Sequence, residues 1–414
     1  MLNKLKNHKL FVENVSYLGV LQIINLLLPL ITYPYLIRIL GKEIFGTIIF
    51  AQAIIIYLDI LISYGFNISG VRSIAINKNN INKLNEISSV ILITKTILLI
   101  IVFVIYLIAV YSIPLLKNHS TLFLIFYLYA IGEVLFPIWF FQGIEKLKYI
   151  TILNTISKLL FISLVFIFIK SFNDYLYFPL FLSIGNIIGG LIGFVLMIKK
   201  YNIKLFFPNK SSIISELKKS TPLFVSRVAD TAIDKGYTVF IGSLFSMGLV
   251  TSYDVSIKII YVFSLPFMLL NQALFPKISN EKNFLFLRKI IIITIPITLI
   301  GTVILLIFSD LFIKIMGGNA ISEAKNILYI LSPLVLINSL IYLLGSPALI
   351  AAGLYKEFNN SITFSLLITI PIITMLVLLK NYNLYYILSC RILTNLIMLF
   401  LRIYYSNKNK IFSN

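Results

Sequence analysis

The sequence predicts an all-α polytopic membrane protein of twelve transmembrane helices in two parallel six-helix lobes, with both termini cytoplasmic. Three observations carry that expectation. Apolar residues make up 59% of the 414 and charged residues 12%. The apolar residues gather into twelve runs of spanning length, and the basic residues between the runs alternate strongly from side to side.

Soluble domains hold roughly 45–50% apolar and 25% charged residues. No aqueous core of 414 residues could hide this much apolar surface, so lipid is the solvent for most of it. A net charge of +20 would suggest nucleic acid in a soluble protein. Here the charges sit in short hydrophilic gaps, which fits loops at an anionic membrane surface and argues against nucleic acid as a partner. One cysteine, Cys390, rules out an intramolecular disulfide and lies in an apolar run as packing. The two histidines, His8 and His119, lie in polar flanks, so no metal constellation and no cofactor is expected. Lys4, Lys6 and Lys9 precede an apolar run without an Ala-x-Ala site, which reads as a retained first helix.

A span needs about 20 mostly apolar residues. The runs that qualify are 15–37, 44–66, 87–112, 121–142, 149–169, 176–198, 220–245, 250–274, 286–308, 324–345, 358–379 and 382–404. With the N-terminus inside, the cytoplasmic segments hold 22 basic residues and the outer ones 7, namely Arg38, Lys42, Lys117, Lys170, Lys314, Lys325 and Lys380. A wrong count would scramble that alternation, so the asymmetry supports both the partition and the orientation.

The longest and most basic inner segment, 199–219, follows the sixth run. It divides the chain into an N-lobe at 1–198 and a C-lobe at 220–414. An even number of crossings per lobe makes them parallel repeats. Gly143-Ile-Glu-Lys146 and Gly353-Leu-Tyr-Lys356 echo each other, as do Pro29-Leu and Pro222-Leu in the first and seventh runs.

Eleven ionisable residues lie inside the runs, more than three residues from either end: Asp59, Lys95, Glu133, Lys158, Arg227, Asp230, Asp234, Lys235, Asp254, Lys258 and Arg391. Each would cost about 2.5–3.5 kcal/mol at a lipid-exposed helix centre, so they must pair, snorkel or face water. In the seventh run Arg227, Asp230 and Asp234 share one helical face, with Lys235 to the side. An Arg–Asp pair that neutralises itself is one reading; four charges in nine residues favour the lining of a hydrated cavity. Asp254 and Lys258, four apart, suit a neutralising pair. Lys95 lies near the inner end and suits snorkelling. Lys158 and Glu133 suit a cross-helix pair, and Arg391 has no evident partner.

Gln22, Asn25 and Pro29 share a face of the first run, and Gln52, Asp59 and Ser63 one of the second; interhelical hydrogen bonding and cavity lining are equally open for both. Gly185, Gly189 and Gly193 form a small-residue strip for close helix packing. Prolines at 29, 34, 137, 222, 266, 296 and 371 are expected to bend helices. Trp139 is expected as an aromatic anchor at the inner interface.

Several stretches carry a resemblance. They are Gln22-Ile-Ile-Asn25 followed by Pro29-Leu-Ile-Thr-Tyr-Pro-Tyr-Leu-Ile-Arg38-Ile-Leu-Gly41, Tyr64-Gly65-Phe66-Asn67, Trp139-Phe-Phe-Gln-Gly143-Ile-Glu-Lys-Leu-Lys-Tyr-Ile-Thr151, and Gln272-Ala-Leu-Phe-Pro276. Together with the chain's length and layout they resemble the O-antigen and capsule repeat-unit flippases (Wzx-type) of the multidrug/oligosaccharidyl-lipid/polysaccharide (MOP) exporter superfamily, whose fold is MATE-like. The resemblance implies a two-lobed bundle in which the first, second, seventh and eighth helices line a central cavity. It implies a cargo of undecaprenyl-diphosphate-linked oligosaccharide, moved to the periplasmic face of a bacterial inner membrane. A polysaccharide polymerase and chain-length regulator are then implied partners, beside membrane lipid.

The residues agree with an anionic cargo. A diphosphate in low dielectric needs cations, and arginine can bind it bidentately. Arg227 is the expected principal contact, with Lys235, Lys258 and Arg38 assisting. Asp59, Asp230 and Asp234 would couple an ion, H+ or Na+, or hold the cations in place. The rival readings are a drug/cation antiporter of the same superfamily, a membrane-embedded glycosyltransferase or polymerase, and a flippase for cell-wall precursor. An antiporter should favour acids and aromatics in its cavity. An enzyme should carry a large outer loop, yet even 309–323 is too short for a domain.

Overall fold

The structure, a computed structural model, describes residues 2–380 and 383–412, with side chains from residue 16 onward except at 18. The side chains of Lys4, Lys6, His8 and Lys9, and residue 382 at the start of the last expected run, lie outside the described residues.

The chain is built almost wholly of helix. A first helix, α1 (Leu2–Ser63), is broken at Gly41, where φ is 77° and ψ is 161°. That position separates the first two apolar runs, and glycine takes the left-handed φ without the Cβ clash other residues meet. Then come α2 (Phe66–Ile76), α3 (Ile81–Ser112), α4 (Pro114–Lys117), α5 (Ser120–Leu135), α6 (Ile138–Gly143), α7 (Leu147–Phe168) and α8 (Tyr177–Lys200). After the extended 201–209 segment follow α9 (Lys210–Leu244), α10 (Met247–Glu281), α11 (Phe284–Ile307), α12 (Ser309–Met316), α13 (Ala324–Leu331) and α14 (Leu334–Leu343). A π-helical turn (Leu344–Ile350) continues α14, and α15 (Tyr355–Leu378) and α16 (Leu384–Lys408) complete the chain.

Among the described residues, nine helices are long and apolar enough to cross a membrane, and α13 with α14, bent by 46°, makes a tenth. Two of the twelve expected runs share α1. One more, α9, carries Arg227, Asp230, Asp234 and Lys235 and is too charged to pass on apolarity alone. The exposed faces are apolar in the manner of lipid-facing helices: α11 presents Ile292, Ile293, Ile297, Ile300, Val303 and Ile307 outward.

The chain divides into two compact units. One comprises Met1–Leu28 and Thr47–Val228, the other Pro29–Gly46 and Ala229–Asn414. The boundaries therefore fall inside α1 and α9, and the middle of α1 packs with the C-terminal unit.

In the first unit, Trp139, Phe140 and Phe141 of α6 are fully buried against Phe66, Ile91 and Phe136. Trp139 is thus a core residue with no exposed surface, not the interfacial anchor expected from its position. The reason is Pro137: it interrupts the helix between α5 and α6 and turns the aromatic stretch inward. The glycine strip of α8 packs closely, as its spacing predicts. A Cβ at Gly185 would lie 2.7 Å from the Ser157 carbonyl oxygen of α7, and one at Gly193 2.9 Å from the Phe136 ring after α5.

In the second unit, Leu274, Ile278, Leu287, Leu343 and Ala348 form a core around the π-helical turn. Arg402 of α16, counted among the inner loop charges in the sequence, is buried there. Its guanidinium donates to the Ile341 carbonyl at 2.5 Å and to Ser361 at 3.2 Å, over the Phe358 ring. Gly345 makes room, since a Cβ there would stand 2.5 Å from Arg402 Nη1.

The echo between Gly143 and Gly353 does not survive as matching geometry. Both helix ends close with paired 6→1 and 5→2 hydrogen bonds, Lys146 to Phe141 at 2.8 Å and Leu354 to Leu349 at 2.9 Å. The left-handed residue is Glu145 in the first and Gly353 in the second, two positions out of step with the sequence match.

Candidate functional site

Each unit carries its own set of charged groups at membrane-spanning positions. In the C-terminal unit the set is built from α1, α9, α10 and α16. Asp234 of α9 is its hub: Oδ1 accepts the Tyr261 hydroxyl of α10 at 2.5 Å, and Oδ2 lies 3.3 Å from Lys235 Nζ. Lys258, one helical turn before Tyr261, feels the charges of Asp254, Lys235 and Asp234.

Asp254 does not form the ion pair expected with Lys258. Its Oδ2 accepts the hydroxyl of buried Tyr33 from α1 at 2.8 Å, because the middle of α1 packs against α10 in this unit. Lys258 accordingly forms no ion pair or hydrogen bond among the described residues.

Arg391, without a partner in the sequence reading, is buried in α16. It donates to the Ile233 carbonyl of α9 and lies 5.3 Å from the centre of the Tyr237 ring. Tyr237 in turn shares a 2.6 Å hydrogen bond with Thr394. This ties α16 to the turn of α9 that presents Asp234. The Arg391 Nε remains without a partner.

The four expected cargo contacts are distributed as follows. Lys235 and Lys258 share one electrostatic neighbourhood. Arg38, exposed, donates to the carbonyls of Lys314 at 3.5 Å and Ile315 at 3.1 Å, at the C-terminal end of α12, a favourable place for a cation. Arg227 belongs to the first unit, where it acts electrostatically on Asp59. Arg227 and Asp230 are exposed on α9, and each is engaged in interactions of its own.

The first unit gathers Asp59 of α1, Lys95 of α3, Glu133 of α5 and Lys158 of α7. Lys95 is 1% exposed and donates to the Glu133 backbone carbonyl at 2.9 Å. It does not snorkel, because the charge finds a carbonyl and two carboxylates, Asp59 and Glu133, inside the bundle. Asn186 of α8 donates to the Tyr129 carbonyl at 3.0 Å and to Glu133 Oε1 at 3.3 Å. Gly132 allows this approach: a Cβ there would lie 2.8 Å from Asn186 Nδ2. Lys158 interacts with Glu133 electrostatically without reaching ion-pair distance. Asp59 accepts Ser63 at 3.3 Å.

Two contributors had no signal in the sequence reading. Asn186 sits between the glycines of the α8 strip. Glu43, beside the Gly41 break, accepts the Gly248 N–H at 2.8 Å and so caps the N-terminus of α10. Among the described residues no three His, Cys, Asp or Glu side chains converge as a metal site.

Comparison with known proteins places these features in a family. Residues 11–282 match the family described as polysaccharide biosynthesis protein. A relative from Escherichia coli strain K12, whose name assigns it to O-antigen transport, is 28% identical over 88% of this chain and 90% of its own. A Shigella dysenteriae relative with the same name is 31% identical over 70% of this chain and 73% of its own. Among solved structures, an inward-facing multidrug resistance MATE family transporter of the MOP superfamily superposes with a TM-score of 0.73 at 13% identity, over 94% of both chains. A MATE in complex with MaL6 gives 0.63 at 12% identity, over 97% of this chain and 96% of that one. The chain therefore belongs to the polysaccharide biosynthesis protein family and has the all-α, multi-pass fold of the MATE transporters.

Proposed function

We propose that this protein flips undecaprenyl-diphosphate-linked oligosaccharide repeat units from the cytoplasmic to the periplasmic leaflet of a bacterial inner membrane, by alternating access. In this reading the chain crosses twelve times with both termini inside, as six-crossing lobes at 1–198 and 220–414 joined by 199–219. The flipped repeat units pass to a polysaccharide polymerase and its chain-length regulator.

Family membership and the nearly end-to-end relation to the Escherichia coli relative support polysaccharide-linked transport. The observation that carries the headgroup chemistry is Lys258. It is a half-buried cation at membrane depth whose neighbouring carboxylates are occupied, Asp254 by Tyr33 and Asp234 by Tyr261 and Lys235. An ammonium held in low dielectric without a committed counter-ion favours an anionic ligand, and a diphosphate supplies the charge. Arg227, Lys235 and Arg38 would assist. Asp59, Asp230 and Asp234 are candidates for coupling to an H+ or Na+ gradient.

Deletion in the host tests the reading. Loss of surface polysaccharide with build-up of lipid-linked single repeats at the cytoplasmic face is the expected result. Intact polysaccharide with loss of drug resistance would instead make the protein a drug/cation antiporter.

A further inference from the structure

A second polar site lies wholly within the first unit, away from the charged residues above. The C-terminal end of α2, the N-terminal turns of α3 and those of α9 enclose a cavity of about 490 Å³, within the range of small-ligand sites. Its wall on α9 is a hydrophilic stripe, Ser211, Ser212, Ser215, Glu216 and Lys219, all on one helical face. Opposite stand Ser73 of α2 and Asn77, its C-cap, with Lys83 and Glu86 of α3; Ile87 and Val90 add apolar surface.

Two features set this cavity apart from an ordinary solvated groove. The first is a buried acceptor. Glu216 is 7% exposed, and while its Oε2 lies 3.4 Å from Lys219, its buried Oε1 has no hydrogen-bond partner. Buried polar atoms are almost always satisfied. The second is a set of uncommitted hydroxyls. Nearby Ser89, Ser220 and Thr221 each donate to the carbonyl four residues earlier, the usual habit of helical Ser and Thr. Ser73, Ser211, Ser212 and Ser215 make no such side-chain bond among the described residues.

The charge balance selects the ligand. Lys83 pairs with Glu86 at 2.9 Å and Lys219 with Glu216 at 3.4 Å, so the cavity is formally neutral. A phosphate would meet two carboxylates. A neutral polyol offers hydroxyl donors to Glu216, both donors and acceptors to the serines and Asn77, and C–H faces to Ile87 and Val90.

We propose that this cavity binds a saccharide, and that in the cell the occupant is the sugar portion of the cargo before it is flipped. The second clause rests on the flippase reading; the first does not.

Ser212→Cys in the full-length protein gives the probe, because the native cysteine, Cys390, is buried. Maleimide labelling of S212C in nanodiscs is followed with added oligosaccharide, released by mild acid from the host's lipid-linked repeats. Protection of at least fivefold by the free oligosaccharide supports the site, with the sugar alone sufficient. Protection only by the intact lipid-linked oligosaccharide supports it with the lipid also required. Protection by inorganic phosphate or by sugar-free undecaprenyl diphosphate makes it an anion site and overturns the proposal. No protection by any of these overturns it as well. In S212C combined with Glu216→Gln or Ser215→Ala, protection should weaken at least threefold; undiminished protection rejects the assigned contacts. Protection in a host whose deletion strain keeps normal surface polysaccharide would sink the flippase reading and leave the saccharide site standing. Absence of protection alongside accumulated lipid-linked repeats would do the reverse.

Discussion

Tyr261 and Lys235 divide the Asp234 carboxylate between them, the hydroxyl on Oδ1 at 2.5 Å and the ammonium 3.3 Å from Oδ2. Both partners favour the ionised carboxylate, and protonating Asp234 would weaken both at once. Such a group changes its local structure when it takes up a proton, as coupling to a gradient demands. Asp234→Asn should leave cargo affinity within about twofold, a few tenths of a kcal/mol, because the cations stay in place. Gradient-driven flipping in proteoliposomes should be lost. Unchanged flipping under an imposed pH gradient would remove Asp234 from the coupling.

Lys258 is expected to act as a bare cation for the cargo headgroup. Charge-assisted hydrogen bonds contribute about 1.5–3 kcal/mol. Lys258→Met should therefore weaken binding of the lipid-linked oligosaccharide by roughly 10–100-fold, with Lys258→Arg retaining most of it. Binding measured against undecaprenyl diphosphate without sugar should fall equally. If only the sugared lipid is affected, Lys258 contacts sugar and not diphosphate.

What the sequence revealed of all this follows from the kind of information each feature needs. Spans are one-dimensional: a run of twenty apolar residues declares itself, and Gly41 marks the break inside α1. Partners are three-dimensional. In helices apolar nearly all round, periodicity does not say which face turns inward. So Lys95 read as a snorkelling residue, although it is 1% exposed on a carbonyl of α5. Arg391 had no visible partner because its acceptor is a backbone carbonyl of α9. The Asp254–Lys258 spacing suggested a pair, and Tyr33, more than two hundred residues away, took the carboxylate instead. The cavity beneath Glu216 needed three helix ends to converge, which no local pattern announces.

Lys95 is the buried cation of the first unit, and its loss leaves Asp59 and Glu133 close to each other without it. Removing Lys95 leaves the Glu133 carbonyl without its donor and both carboxylates without this neighbouring cation. Lys95→Met should lower the melting temperature of the solubilised protein strongly. Adding Asp59→Asn should recover part of that loss, since groups in one charge network are non-additive. Purely additive losses would mean that the two side chains do not interact.

Gly65 and Gly353 have nearly the same φ, 78° and 84°, but different surroundings. A Cβ at Gly65 would stand 2.9 Å from the backbone of Phe224 and Ser220, where α9 approaches and Tyr64 stacks on Phe224 at 4.5 Å. A Cβ at Gly353 meets open space. Alanine at Gly353 should cost only the left-handed strain, about 1–2 kcal/mol. At Gly65 overpacking adds about 1–3 kcal/mol more. Thermal unfolding of the two variants tests the ordering, and equal losses would argue against the close approach of α9.

Lys42 and Glu43, beside the Gly41 break, hold the middle of α1 by two unequal contacts. Lys42 reaches Glu323 at 2.7 Å, but Glu323 is 46% exposed, and such pairs contribute at most about 1 kcal/mol. Glu43 instead caps the N-terminus of α10 through the Gly248 N–H, worth about 0.5–2 kcal/mol. Glu43→Ala should therefore lower stability more than Glu323→Ala. The Glu323 pair also has a pH signature. The hydrogen bond from Lys42 holds its carboxyl below the usual carboxylate range. A depressed folded value means that the stabilisation is complete above the unfolded value of about 4.3 and disappears as pH falls through the folded one. The melting-temperature gap between wild type and Glu323→Gln should stay level from neutral pH down to about 5 and close in more acid solution. A gap that persists undiminished in strong acid would show that Glu323 acts through packing and not through its charge.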